Sequence, residues 1–127
     1  MKTVIKTILH KEQFYPTIGD WGFMPDGNLI IKVSDMSNPD YEFLVGLHEL
    51  VEAYLCKKAG IDQQDVTNFD IAFECNRKEG NVDEPGNDPQ APYHQQHIYA
   101  TIVEKDMARA LGVNWEEYDK FVNEFNG

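Results

Sequence analysis

Cysteine is nearly absent from this chain: Cys56 and Cys75 are the only two among 127 residues, and each falls in a stretch with helical patterning. A disulfide-stapled scaffold is thereby excluded. Both thiols read as small buried hydrophobes, and a reducing cytoplasm is the setting expected of them. Long apolar runs are missing too. None approaches the ~20 residues needed to span a bilayer, and no cationic, apolar leader precedes the first strand, so no membrane association is expected. Basic side chains are scarce, with 11 Lys and Arg against 22 Asp and Glu and a formal charge of −11. The attraction to phosphates that underlies sequence-independent nucleic-acid binding is therefore lacking, and no nucleic-acid partner is expected. The acids are spread along the whole chain and form no dense block, which favours a solubility role over an acidic decoy for a basic partner.

Chemical signatures are few as well. The chain has no G-x-S-x-G elbow, no phosphate-cradling P-loop, no dinucleotide fingerprint and no paired C-x-x-C. Cys56 lies in the middle of a helical stretch, away from the electropositive N-terminus that would activate a thiol.

What is present suffices for one core. The composition is 42% hydrophobic and 12% aromatic, and a chain of this length buries roughly two thirds of the surface it exposes when unfolded. Residues 1–127 therefore read as a single domain. Residues 3–9 are rich in β-branched side chains and read as a strand, and Asp26-Gly27 is a turn signal joining 19–24 to 28–33 as a hairpin. From Asp40 the period becomes helical, with Leu44, Leu47, Val51 and Leu55 on one stripe and Gly60 as a stop, predicting a helix over 40–59. Asp62 caps a second helix through Val66, Phe69, Phe73 and Cys75. Residues 80–92 are full of helix breakers and form a long loop. A third helix follows over 93–111, with Ile102, Val103, Met107, Ala110 and Leu111 expected inward, and a fourth begins near Asn114. Strands first and helices afterwards predict an α+β fold, a small N-terminal antiparallel or mixed sheet followed by about four helices.

One helix carries the candidate chemistry. In Leu47-His48-Glu49-Leu50-Val51-Glu52, His48 and Glu52 stand one turn apart and only about 40° around the axis, so both reach one ion. Glu49 points about 100° away, where it addresses a water instead. A carboxylate near the core is costly unless paired or bound to metal. A metal site needs a further ligand from elsewhere, and Pro92-Tyr93-His94-Gln95-Gln96-His97 supplies two histidines. His97, Thr101 and Glu104 share one line of the third helix beside Ala100 and Ala108, small residues that permit close approach. His97 is the better-placed ligand, with His94 and Glu104 as alternates; Glu104 also suits the role of acceptor for an imidazole N–H. His10 stands alone and reads as an ordinary residue. Asp70, Glu74, Glu84 and Asp88 read first as a solvated acidic face, and second as contacts behind the site or an oxygen-rich cation site.

The helix resembles that of the zincin metallopeptidases, whose signature is H-E-x-x-H. Here Glu52 replaces the second histidine, giving H-E-x-x-E. The resemblance implies a zincin-like fold, Zn²⁺ or another divalent metal held by His48, Glu52 and His97, Glu49 as general base, and hydrolysis of a peptide or amide bond in a peptide or protein substrate. A second negative ligand makes the ion a poorer Lewis acid than a two-histidine site does. The competing expectation is a non-enzymatic accessory or interaction protein, with a structural metal site or a metal-free His/Glu network in the same place.

Overall fold

A computed structural model describes residues 1–126. Its elements are β1 (Thr3–Ile8), β2 (Gly19–Phe23), β3 (Leu29–Ser34), α1 (Pro39–Ala59), α2 (Gln63–Cys75), α3 (His94–Leu111) and α4 (Trp115–Asn126), with 3₁₀ turns at His10–Glu12 and Pro85–Asn87. The architecture is α+β, three strands followed by four helices, as the order of periodicities predicts.

The sheet is mixed, in the order β1-β3-β2. β2 and β3 form the antiparallel hairpin, with Trp21 opposite Ile31 and Gly19 opposite Val33. Its turn is held by Asp26, whose Oδ1 accepts from the Asn28 N–H at 2.9 Å, and by Gly27 at φ 86°, a conformation that suits glycine. β1 returns to the far side of β3 and pairs with it in parallel, Ile5 beside Ile31. On the central strand Leu29, Ile31 and Val33 alternate inward and are fully buried, the period-two pattern of a sheet covered on that face.

α1 covers it. Asn38 caps the helix, its Oδ1 accepting from the Tyr41 N–H at 3.1 Å, Pro39 occupies the first turn, and Gly60 closes the far end in the left-handed conformation. Two glycines set the approach of helix to sheet. A Cβ on Gly46 would stand 3.4 Å from Ile5 Cγ2, and one on Gly19 would stand 2.7 Å from Val45 Cγ1 and 2.8 Å from Glu49 Cγ. The bare backbone of β2 thus lies directly against Val45 and Glu49. Among the described residues, no helix is long and apolar enough to cross a membrane.

α3 packs along α1, and α4 against α3. The face that α3 buries differs from the apolar one expected. His97, Ala100, Glu104 and Ala108 are buried, whereas Ile102, Val103, Ala110 and Leu111 are exposed and Met107 is half-buried. Two alanines let the helices approach, and the polar pair between them is satisfied by partners on other elements. The stripe on α1 shifts likewise: Leu44 is buried, but Leu47, Val51 and Leu55 are half-buried, while His48 and Glu52 are buried. Cys56 is buried as expected of it; Cys75, at the end of α2, is exposed and does not act as a core residue.

Candidate functional site

His48 and Glu52 project from the middle of α1, and His97 from the first turns of α3. Their atoms converge. His48 Nε2 lies 3.1 Å from Glu52 Oε2 and 3.2 Å from His97 Nδ1, and His97 Nδ1 lies 3.0 Å from the same Glu52 oxygen. All three residues are buried.

The remaining atoms of each group are held from behind. His48 Nδ1 sits 2.8 Å from Glu104 Oε1, and Tyr118 of α4 donates to the other Glu104 oxygen. His97 Nε2 sits 3.0 Å from Glu84 Oε2. The Trp21 indole of β2 donates to Glu52 Oε1 at 3.0 Å. A carboxylate only accepts, so the ring nitrogens facing Glu104 and Glu84 carry the protons. A neutral imidazole then presents a lone pair on its other nitrogen, and both lone pairs point at the free oxygen of Glu52. Three acceptors therefore face one point, and only added protons or a cation reconcile them.

Tetrahedral nitrogen and oxygen ligands at ~2.0–2.1 Å from zinc stand ~3.3 Å from one another. The three observed separations, 3.0–3.2 Å, are close to that figure. The donor set, two imidazoles and one carboxylate with carboxylates behind both rings, is also the chemistry that zinc-type ions take. Glu104 is turned to the back of His48 and is no fourth ligand, so the arrangement leaves one ligand position open.

Without a cation, protons fill the gap. Burial opposes charge on His48, but its hydrogen bonds to Glu104 and Glu52 outweigh burial and hold the ring well above the ordinary histidine pKa. Burial also opposes charge on His97, whose hydrogen bonds to Glu52 and Glu84 raise it to about 9. Burial would raise Glu52, yet the two imidazoles bring it down to about 2. Glu84 is lowered despite burial by its bond to His97.

The site opens on a cavity of about 430 Å³ lined by α1, α2, β2 and the loop before α3. Glu49 lines it, and its carboxylate takes no hydrogen bond from the described residues. Burial first, and the Glu52 charge second, hold Glu49 well above the ordinary carboxylate pKa.

The long loop lies over the site as a strap. Arg77, at the end of α2, pairs with Glu74 through two bonds of 2.9 and 2.8 Å and donates to the Asn81 and Asp83 carbonyls at 2.7 and 2.8 Å. This brings Glu84 onto His97. His94 Nδ1 donates to the Gly86 carbonyl at 2.9 Å, so His94 fastens the strap and stands apart from the converging donors. Gly86 presses on the His97 ring so closely that a Cβ there would lie 2.3 Å from Cγ. His10 bonds Ser34 at 2.8 Å and takes no part in the converging donors.

Several contributors carry little sequence signal. Trp21 and Tyr118 read as apolar residues of a strand and a helix. Asp70 is buried, not part of a solvated face: Tyr15 donates to it at 2.8 Å and Tyr93 to its other oxygen. Its spacing from Glu74 suggests surface charge, and only the tyrosines, distant in sequence, reveal otherwise. Compared with known proteins, the chain matches no family model, no curated protein and no solved structure, so its function is read from this geometry alone.

Proposed function

We propose that this protein is a zincin-like metalloprotein in which His48, Glu52 and His97 hold Zn²⁺ or another divalent ion, and that it hydrolyses a peptide or amide bond. The observation that carries the reading is the convergence of three acceptor atoms, each backed by its own partner, beside a cavity bordered by an unengaged carboxylate. An ion held by these residues would supply Lewis acidity toward a substrate carbonyl and a nearby water. Glu49, next to His48 but turned toward the cavity, is the residue placed to hold a proton there and would act as the general base and then the acid for the leaving amine. Trp21, Glu104 and Glu84 orient the three ligands.

A peptide substrate suits the edge of the sheet. The Met24 N–H bonds the Asn28 carbonyl and the Ser34 N–H bonds the Ile18 carbonyl, so alternate residues of β2 face β3. The main-chain groups of Trp21 and the Gly19 N–H face the other way, beside the cavity, and provide for strand addition by an extended segment, while the Gly19 carbonyl accepts from the Thr17 hydroxyl at 2.8 Å. The absence of paired cysteines suits the cytoplasm.

The test is metal content by elemental mass spectrometry on untagged protein, wild type against a His48→Ala/His97→Ala double variant, followed by a peptidase screen. We expect about one equivalent of zinc, lost in the double variant, and hydrolysis abolished by Glu49→Gln without loss of metal. Protein that neither contains zinc nor takes it up would overturn the reading. It would leave a second one, favoured by the hydrogen-bonding distances themselves: a metal-free network in which protonated His48 and His97 grip Glu52.

A further inference from the structure

The cavity holds more carboxyl groups than its own cations balance. Glu74 is paired with Arg77, Asp20 lies opposite Lys32 in the strand register, and Glu52, Glu84 and Glu104 face the two imidazoles. Glu49 and Asp70 line the same space and have no cationic partner among the described residues. Asp70 is only 8% exposed. Buried carboxylates without a counter-charge are costly, and proteins retain them where a cation is supplied.

A second metal is a poor match for that vacancy in charge. Among the described residues, only His48, Glu52 and His97 bring ligand atoms together closely enough to grip an ion. Asp70 is instead fixed by two phenols, those of Tyr15 and Tyr93, and both tyrosines line the cavity together with Trp21. A fixed carboxylate among aromatic rings is the environment that receives an organic cation, which gains Coulombic attraction from the acid and cation–π attraction from the faces. A volume of about 430 Å³ accommodates a side chain and the backbone attached to it.

We propose that this cavity is a subsite for a basic side chain, the guanidinium or ammonium of an arginine or lysine in the substrate, received by Asp70 between Tyr15 and Tyr93. It rests on the reading of the site as hydrolytic only in calling the ligand a substrate; the pocket itself is independent of the metal. The raised pKa of Asp70, about 7 with burial as its main cause, is the response of an acid that lacks its cation. A bound cation brings the group back to the ionised form.

Calorimetric titration separates the two claims. The probes are Nα-acetyl-arginine amide, Nα-acetyl-lysine amide and Nα-acetyl-citrulline amide, a neutral isostere of the first, and none has a free α-amine to ligate zinc. Each is titrated into zinc-loaded protein, chelator-treated protein and the Asp70→Asn variant, which keeps an acceptor for one tyrosine and offers an N–H to the hydroxyl of the other. We expect the arginine or lysine probe to bind roughly tenfold or more tightly than citrulline, with this preference lost in Asp70→Asn while zinc content is unchanged. Comparison of the two cationic probes names the preferred head group. Wild-type protein that binds the citrulline and arginine probes equally, or binds none, overturns the subsite whether or not Asp70→Asn folds. A preference that persists in a folded Asp70→Asn variant also overturns it, leaving Asp70 as a structural link between two tyrosines. Loss of zinc binding alone, with the preference intact, removes the hydrolytic reading and leaves the cation pocket.

Discussion

At the scale of single residues, the site depends on one glycine as much as on its histidines. Gly86 has no left-handed backbone to explain it; it is small because the His97 ring occupies the space a side chain would take. Gly86→Ala places a methyl within 2.4 Å of His97 Nδ1, so either the strap lifts or the ring turns. Overpacking of this kind costs ~1–3 kcal/mol, and loss of the Glu84 contact lowers metal affinity by roughly 10–100-fold. Competition with a chromophoric zinc chelator measures it; unchanged affinity would mean that the strap yields without moving the ring. This dependence on Gly86 is invisible in the sequence, where Pro85 and Gly86 are ordinary loop residues. His48, Glu52 and His97 are legible because helical spacing fixes which side chains share a face. Trp21 and Tyr118 are not, because each reaches the site through tertiary contact from another element, and Glu84 is legible only as the second of two readings of the loop acids.

At the scale of elements, the turns and caps are the most readable parts. Asp26-Gly27, Gly60, Asp62 and Asn114 all mark boundaries, since local backbone chemistry fixes them without reference to the rest of the fold. The orientation of α3 is not local. Hydropathy places Ile102 and Val103 inward, but α3 turns its small and polar face to α1, where His48 meets Glu104, and leaves those apolar residues in solvent. The strap is likewise set from outside itself. Its chief anchors are the Arg77 guanidinium bonds to the Asn81 and Asp83 carbonyls. In Arg77→Gln, amide exchange across residues 81–92 is expected to quicken while α1 and α3 keep their protection. Exchange unchanged in the strap would show that Glu84 and His94 suffice to hold it.

At the scale of the whole molecule, buried acids govern how stability varies with pH in the ion-free protein. Burial raises Asp70 to about 7 and Asp20 to about 6. Between the ordinary value near 3.8 and these values, the folded state holds protons that the unfolded state has released, so stability falls as pH rises through that window. Glu52 acts oppositely: held at about 2, it contributes stability that is present above about 4.5 and lost toward pH 2. His97, raised to about 9, contributes below about 6.5 and ceases to do so as pH climbs through 9. Urea unfolding with chelator present is therefore expected to give a higher midpoint near pH 5 than near pH 7.5. Asp70→Asn should reduce that difference without abolishing it, because Asp20, Glu49, His48 and His97 are raised as well and act in the same direction, each pKa unit being worth about 1.4 kcal/mol. A difference of the same size in the variant would exclude Asp70 as its source.

The two imidazoles that meet at Glu52 are 49 residues apart in the chain, on helices separated by α2 and the strap. Their meeting has a consequence for the order of folding. The hairpin and α1 are built from short-range contacts, whereas the junction of α1 with α3 must wait for a long loop to close. An ion gripped there would stabilise the native junction more than a transition state in which that loop has yet to close. Zinc would lengthen the lifetime of the native state without hastening its formation, and the loaded protein would persist by kinetic resistance as much as by equilibrium stability.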